Sequence, residues 1–121
     1  MTNHIHMICL VNDKPLSNIL RDFKTFTSKG LVKIISDKPD ESRKEWMLKI
    51  FKEHGQNNPL NKHFQVWQNF NFPTLLDNPF LIDQKTEYIH MNPVKAGFVS
   101  KPYEYYYSGA NANSPIKTLD F

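Results

Sequence analysis

Apolar positions along this chain change period several times, and the first period is two. From His4 to Val11 the sequence HIHMICLV places His4, His6, Ile8 and Leu10 on one face of an extended segment and Ile5, Met7, Cys9 and Val11 on the other. Beyond His6 both faces are apolar, which predicts a central strand covered on both sides. Polar residues then lead to Pro15, suited to a first helical turn. Leu16, Ile19, Leu20, Phe23 and Phe26 recur at helical spacing, and Leu31, Ile34 and Ile35 carry the pattern past Gly30. A second helix is predicted in RKEWMLKIFKEHG, with Trp46, Met47, Ile50 and Phe51 on one side and Gly55 as C-terminal cap. After the loop QNNPLNKH, FQVWQNF (Phe64 to Phe70) has the aromatic bulk of a strand. Asp77 or Asn78 then caps a helix from about Phe80 to Met91, with Pro79 just inside. Pro93 interrupts or ends that helix, and NPVKAG offers one more turn closed by Gly97. The remainder is aromatic, then small and polar, and reads as a loosely docked tail.

The predicted order is strand, helix, helix, strand, helix, tail. Two strands make no sheet able to shield a strand that is apolar on both faces, so the first strand needs further neighbours. A chain of 121 residues suits one domain, and 40% hydrophobic with 22% charged residues argues against wholesale disorder. The net charge of +3 permits an anionic partner without demanding one. Cys9 is the single cysteine, which points to a reducing compartment. There is no apolar run of membrane-spanning length and no signal-peptide pattern, so a soluble, cytoplasmic protein is expected.

Two clusters can carry chemistry. His4 and His6, at i and i+2 of a strand, point the same way with Cβ atoms about 6–7 Å apart, a spacing from which two imidazoles converge on one divalent ion. The alternative is two polar residues at a strand end. In DQKTEYIHMNPVKAGFV, Lys85, Tyr88 and Asn92 share a helix face. Nearby positive charge favours a phenolate, so a tyrosine beside a lysine and a metal ligand is a workable nucleophile. The alternative is a tyrosine half-buried on an amphipathic helix.

NHIHM together with YIHMNPVKAGFV resembles the single-tyrosine HUH transposases of the insertion-sequence-200 kind, above all the REP-associated tyrosine transposases. LRDFKTFTSK, ESRKEWMLKIF, FQVWQ, LIDQKTEYIHMNPV and KPYEYYYSG agree in order and character, so the resemblance runs from residue 2 to about residue 112. It implies a partial HUH domain over 1–112 and a tail over 113–121. The implied fold is α+β: a ferredoxin-like domain with an antiparallel sheet and packed helices. Here that domain is expected to lack the strand, helix and strand that precede the HUH strand, because Met1 stands about where the family has the methionine before its histidine motif.

By the same resemblance, His4 and His6 match the pair that holds Mg²⁺ or Mn²⁺, and Asn92 is a candidate third ligand. Tyr88 matches the nucleophile that attacks a DNA phosphate and stays attached to the 5′ side of the break. The implied partner is single-stranded or hairpin DNA, with a homodimer as a further partner because the family uses Tyr88's counterpart either in cis or in trans. Arg21, Lys24, Lys29 and Lys85 are candidate phosphate contacts. Trp67 and Tyr105 to Tyr107 can stack unpaired bases, although core or tail packing suits them better. His90 reads as structural support. From another class, the competing reading is a non-catalytic hairpin-DNA-binding remnant or domesticated protein, inactive through truncation. A third is a small metal-binding α/β protein, which leaves the Asn-Pro-Val stretch unexplained.

Overall fold

Local end signals account for where the helices lie. The computed structural model describes residues 3–60 and 63–119. Residues 61 and 62 of the expected loop, 120 and 121 of the expected tail, and 1 and 2 lie outside the described residues. Helix α1 spans Leu16–Asp37 directly after Pro15, α2 spans Lys44–Gln56, and α3 spans Pro79–Lys95. A short 3-10 turn follows at Pro102–Glu104. Asn78 caps α3 by accepting the Leu81 backbone N–H at 3.0 Å, and Pro79 takes the first position, where a missing N–H does no harm. At the other end Gly97 adopts φ +74°, Phe98 N–H reaches the Pro93 carbonyl at 2.9 Å and Gly97 N–H the Val94 carbonyl at 2.9 Å. That pair of bonds is a Schellman closure, and it holds α3 together through Pro93 to Lys95 rather than letting the helix end near Met91.

The chain forms two units. Val11–Pro73 holds α1 and α2, which pack on one another. The Lys44 ammonium donates to the Ser36 carbonyl across the connection between them. Gly30 does not end α1, which runs a further two turns beyond it. Gly55 is not the cap of α2 but a buried last-turn residue against which the chain returns. A β-carbon there would lie 2.8 Å from His63 O and from Phe64 N and Cα, so only glycine lets the backbones approach this closely. The returning segment is fastened by Gln65 N–H to Phe51 O (2.8 Å), Trp67 Nε1–H to Thr27 Oγ1 (2.8 Å) and Lys24 Nζ to Gln68 O (2.7 Å). Nearby, buried Asn58 donates to Gln65 Oε1 and Asn69 Oδ1 and accepts from Leu60 N–H.

The second unit joins Met1–Leu10 to Thr74–Phe121. Its 3-10 turn packs on α3. The Glu104 carboxylate caps that turn by accepting Ser100 and Lys101 N–H at 2.9 and 3.0 Å. Beyond it the chain makes successive turns, Asn111 Nδ2–H bonding Tyr103 O at 2.7 Å and Ser114 N–H bonding Asn111 O at 3.0 Å. Ser114 is buried within them.

The α+β, ferredoxin-like expectation with an antiparallel sheet is overturned. Among the described residues the regular structure is helical and there is no strand. The reason lies in what a strand requires. Alternation and β-propensity are local, but a strand exists only when a neighbour takes up its N–H and C=O groups. Among the described residues, 4–11 run without such a ladder, and in 64–70 the Gln65 N–H goes to the Phe51 carbonyl of α2, the Trp67 indole to Thr27 and the Gln68 carbonyl to Lys24, none of them a strand partner. The first segment is not covered on both faces either: Ile5, Met7 and Leu10 are 52%, 48% and 81% exposed. No hydrophobic residue among those described is buried. No helix among them is long and apolar enough to cross a membrane.

Candidate active site

Helical spacing assembles half of the site. Lys85, Tyr88 and Asn92 lie on one stripe of α3, within an arc of about 60° at about 100° per residue. The Asn92 side-chain N–H donates to the Tyr88 carbonyl at 2.8 Å, which holds the amide against the helix and leaves its oxygen as the group able to accept or ligate. Tyr88 is 46% exposed, so its side chain is open to solvent.

The extended N-terminal segment supplies the other half. The His6 ring meets the Tyr88 ring edge-on, centroids 5.5 Å apart, and the His4 ring meets His6 edge-on at 4.9 Å. The two imidazoles and the phenol therefore form a continuous aromatic chain. His4 Nδ1 lies 2.6 Å from Asn3 Oδ1. A carbonyl oxygen can only accept, so Nδ1 is the donor in this contact and Nε2 is the nitrogen left for a ligand. Partial shielding from water is the main effect pushing the His6 pKa below the ordinary imidazole value, and the like charge of His4 adds to it. Both favour the neutral, ligating form.

No family model, curated protein or solved structure matches the chain.

The fit to a divalent ion rests on the donors themselves. Among the described residues no three His, Cys, Asp or Glu side chains gather into one metal-binding group. An ion here would have two neutral imidazoles and the Asn92 amide oxygen, which would keep its full charge and leave further coordination positions open. Such a mixed nitrogen and oxygen set suits Mn²⁺ well and Mg²⁺ less closely.

The remaining expected residues fall elsewhere. Arg21, Lys24 and Lys29 belong to the other unit. Arg21 pairs with Asp22 at 2.9 Å, Lys24 is engaged with Gln68 O, and Lys29 is exposed. Trp67 is occupied too, its indole bonded to Thr27 and its ring 5.9 Å from Phe23. The tyrosine cluster divides: Tyr105 faces Phe98 at 6.3 Å, while Tyr106 and Tyr107 stand edge-on to each other, exposed. His90 borders Gly109, its Nε2 3.7 Å from where a β-carbon of that glycine would lie. One residue absent from the expected set stands at the site. Lys95 places Nζ 5.8 Å from the Tyr88 centroid, against 6.0 Å for Lys85. Its signal was the i+7 spacing from Tyr88, visible once α3 is continued through Pro93.

Proposed function

We propose that this chain is a metal-dependent single-strand DNA endonuclease and strand transferase, acting on hairpin DNA in the manner of the HUH single-tyrosine transposases it resembles. The observation that carries the reading is the contact of His6 with Tyr88, which unites the two motifs of that resemblance from opposite ends of the sequence. Tyr88 is the nucleophile. Its oxygen forms a bond to the phosphorus of a DNA phosphodiester, the bond from phosphorus to the 3′ oxygen breaks, and the hydroxyl proton passes to solvent while the departing oxygen takes one up. The products are a 5′-phosphotyrosyl adduct and a free 3′-OH, and rejoining is the reverse reaction. His4 Nε2, His6 and Asn92 Oδ1 would hold Mg²⁺ or Mn²⁺, which supplies polarisation of a non-bridging phosphate oxygen and offsets charge in the transition state. Asn92 also fixes the helix turn on which Tyr88 stands. The cytoplasm is the setting we infer, and a homodimer that shares Tyr88 between chains is compatible with the same chemistry.

A second reading, hairpin binding without cleavage, is favoured by one observation. Among the described residues the segment that carries His4 and His6 has no strand partner, and loosely held ligands lose much of the rate that fixed geometry supplies. One experiment separates the two. A 3′-labelled single-stranded hairpin library is incubated with the protein and Mn²⁺, and denaturing electrophoresis shows whether label stays on the protein. The wild type is expected to form the adduct and Tyr88→Phe to lose it, with DNA affinity within about twofold because only a hydroxyl is removed. An undiminished adduct in Tyr88→Phe refutes Tyr88 as nucleophile. Tight binding with no adduct in either protein selects the second reading.

A further inference from the structure

Tyr88 stands between two lysines of its own helix. Lys85 precedes it by three residues and Lys95 follows it by seven, so all three fall within an arc of about 80° of the α3 surface. Long side chains on a helix lean toward its N-terminus, which brings Lys95 back over the turn of Asn92 to Tyr88. The two Nζ atoms lie 6.0 and 5.8 Å from the ring centroid, at the outer limit of a cation–π contact. Neither lysine has an ion pair within 4.0 Å among the described residues, so both ammonium groups keep hydrogens for another acceptor. An open groove runs along this face, lined by Gln84, Lys85, Glu87, Tyr88, Met91 and Lys95. Glu87 is the one acidic group on it, about 100° round the helix from Tyr88, so the ring's immediate flanks are both cationic.

We infer that Lys85 and Lys95 form a two-ammonium seat that holds the phosphodiester under attack against the Tyr88 hydroxyl. The inference rests on the proposed strand-transfer reading and adds to it the groups that place the phosphate. A phosphate between the two lysines presents one oxygen to each, and the tyrosine between them meets the phosphorus. The lysines are positioning residues: they fix the anion and stabilise charge that grows on it, while the bond is made by Tyr88. Packing of the lysines on the ring for helix stability alone is the competing account. It predicts no dependence on charge at saturating substrate.

The test uses the full chain and a single-stranded hairpin library as probe. Lys85→Gln, Lys95→Gln, the double variant, the two arginine variants and Lys33→Gln as an unrelated lysine are compared. Anisotropy of labelled DNA across a salt series reads phosphate contacts, and adduct formation at saturating DNA reads positioning. Each glutamine at 85 or 95 should flatten the slope of log affinity against log salt by about 0.7. Each should also slow adduct formation at saturation about tenfold, with arginine restoring most of both. Lys33→Gln should leave the saturated rate unchanged. Unchanged slope and rate in the double variant, with a wild type that forms adduct, overturns the seat and leaves the reaction standing. A flattened slope without any wild-type adduct keeps the seat as a phosphate site and overturns the strand-transfer reading. A steep slope that neither substitution alters, with no adduct, overturns both.

Discussion

Gly55→Ala should destabilise the unit that contains α1 and α2, although alanine is the better helix former. The added methyl would sit 2.8 Å from three backbone atoms, His63 O, Phe64 N and Phe64 Cα, where carbon contacts are comfortable at about 3.5–4.0 Å. Side chains can turn aside, but backbone must move, here by about 1 Å. That movement strains the Gln65–Phe51 bond and draws Trp67 from Thr27. Overpacking of this kind costs about 1–3 kcal/mol, and each weakened hydrogen bond adds about 0.5–1.5 kcal/mol. The opposing gain from replacing glycine is at most about 1 kcal/mol, and less in the final turn, which Gln56 ends. The balance is a loss of about 1–5 kcal/mol. Trp67 reports it directly, provided exposed Trp46 is first replaced by phenylalanine to remove its emission. Urea unfolding in that background should show a lower midpoint for Gly55→Ala and red-shifted Trp67 emission before the transition. A raised midpoint with native emission would mean that residues 63–68 do not rest on α2, and the reasoning would fail.

Thr27→Val removes the oxygen that accepts the Trp67 indole N–H without changing volume, and should cost about 1 kcal/mol with a shift in Trp67 emission; an unaltered melt would show that bond to be idle. His4→Ala and His6→Ala should each weaken Mn²⁺ binding at least tenfold in titration calorimetry, and equal affinity in the wild type and the double variant would dispose of the metal site. The lowered His6 pKa means that the folded chain resists protonating this ring more than the unfolded chain does. Its contribution is therefore present above the unfolded pKa and lost as pH falls through the folded one. The His6 ring signals in an NMR titration should accordingly reach their midpoint below that of free imidazole side chains, and a midpoint at or above it would show that the ring is not shielded against α3.

Helices were legible in this sequence because their signals are local. Pro15, Asn78 with Pro79, and Gly97 mark ends through bonds made within a few residues, and the structure places them at those ends. The two strands were misread because a period of two describes only which way side chains alternate. Whether the backbone finds a partner is decided elsewhere in the chain, and residues 4–11 and 64–70 find none of strand type among the described residues. Gly55 shows the same division. A glycine near a helix end suggests a cap, whereas its necessity comes from His63 and Phe64 returning against it, a contact that local sequence does not encode.

The site divides along the same line. Tyr88, Asn92 and Lys85 belong to one helix and could be grouped by counting residues. Lys95 belongs with them by the same count but was hidden by Pro93. Proline removes one helical hydrogen bond, that to the Ile89 carbonyl, yet the closure of Phe98 on Pro93 and Gly97 on Val94 holds the final turn. The face of Tyr88 therefore extends one turn further than proline alone suggests. No count of residues could bring His6 to Tyr88, because that approach is tertiary; only resemblance linked the two motifs. The join consists of aromatic edges rather than a ladder of backbone bonds. Edge-to-face contacts are worth about 0.5–1.5 kcal/mol each, enough to bias the rings together but weak beside the binding energy of a charged ligand. On the proposed reading, a divalent ion or a phosphate arriving at this face would accordingly tighten the arrangement of His4, His6 and Tyr88 as it binds, so that ordering of the site and engagement of DNA would be one step.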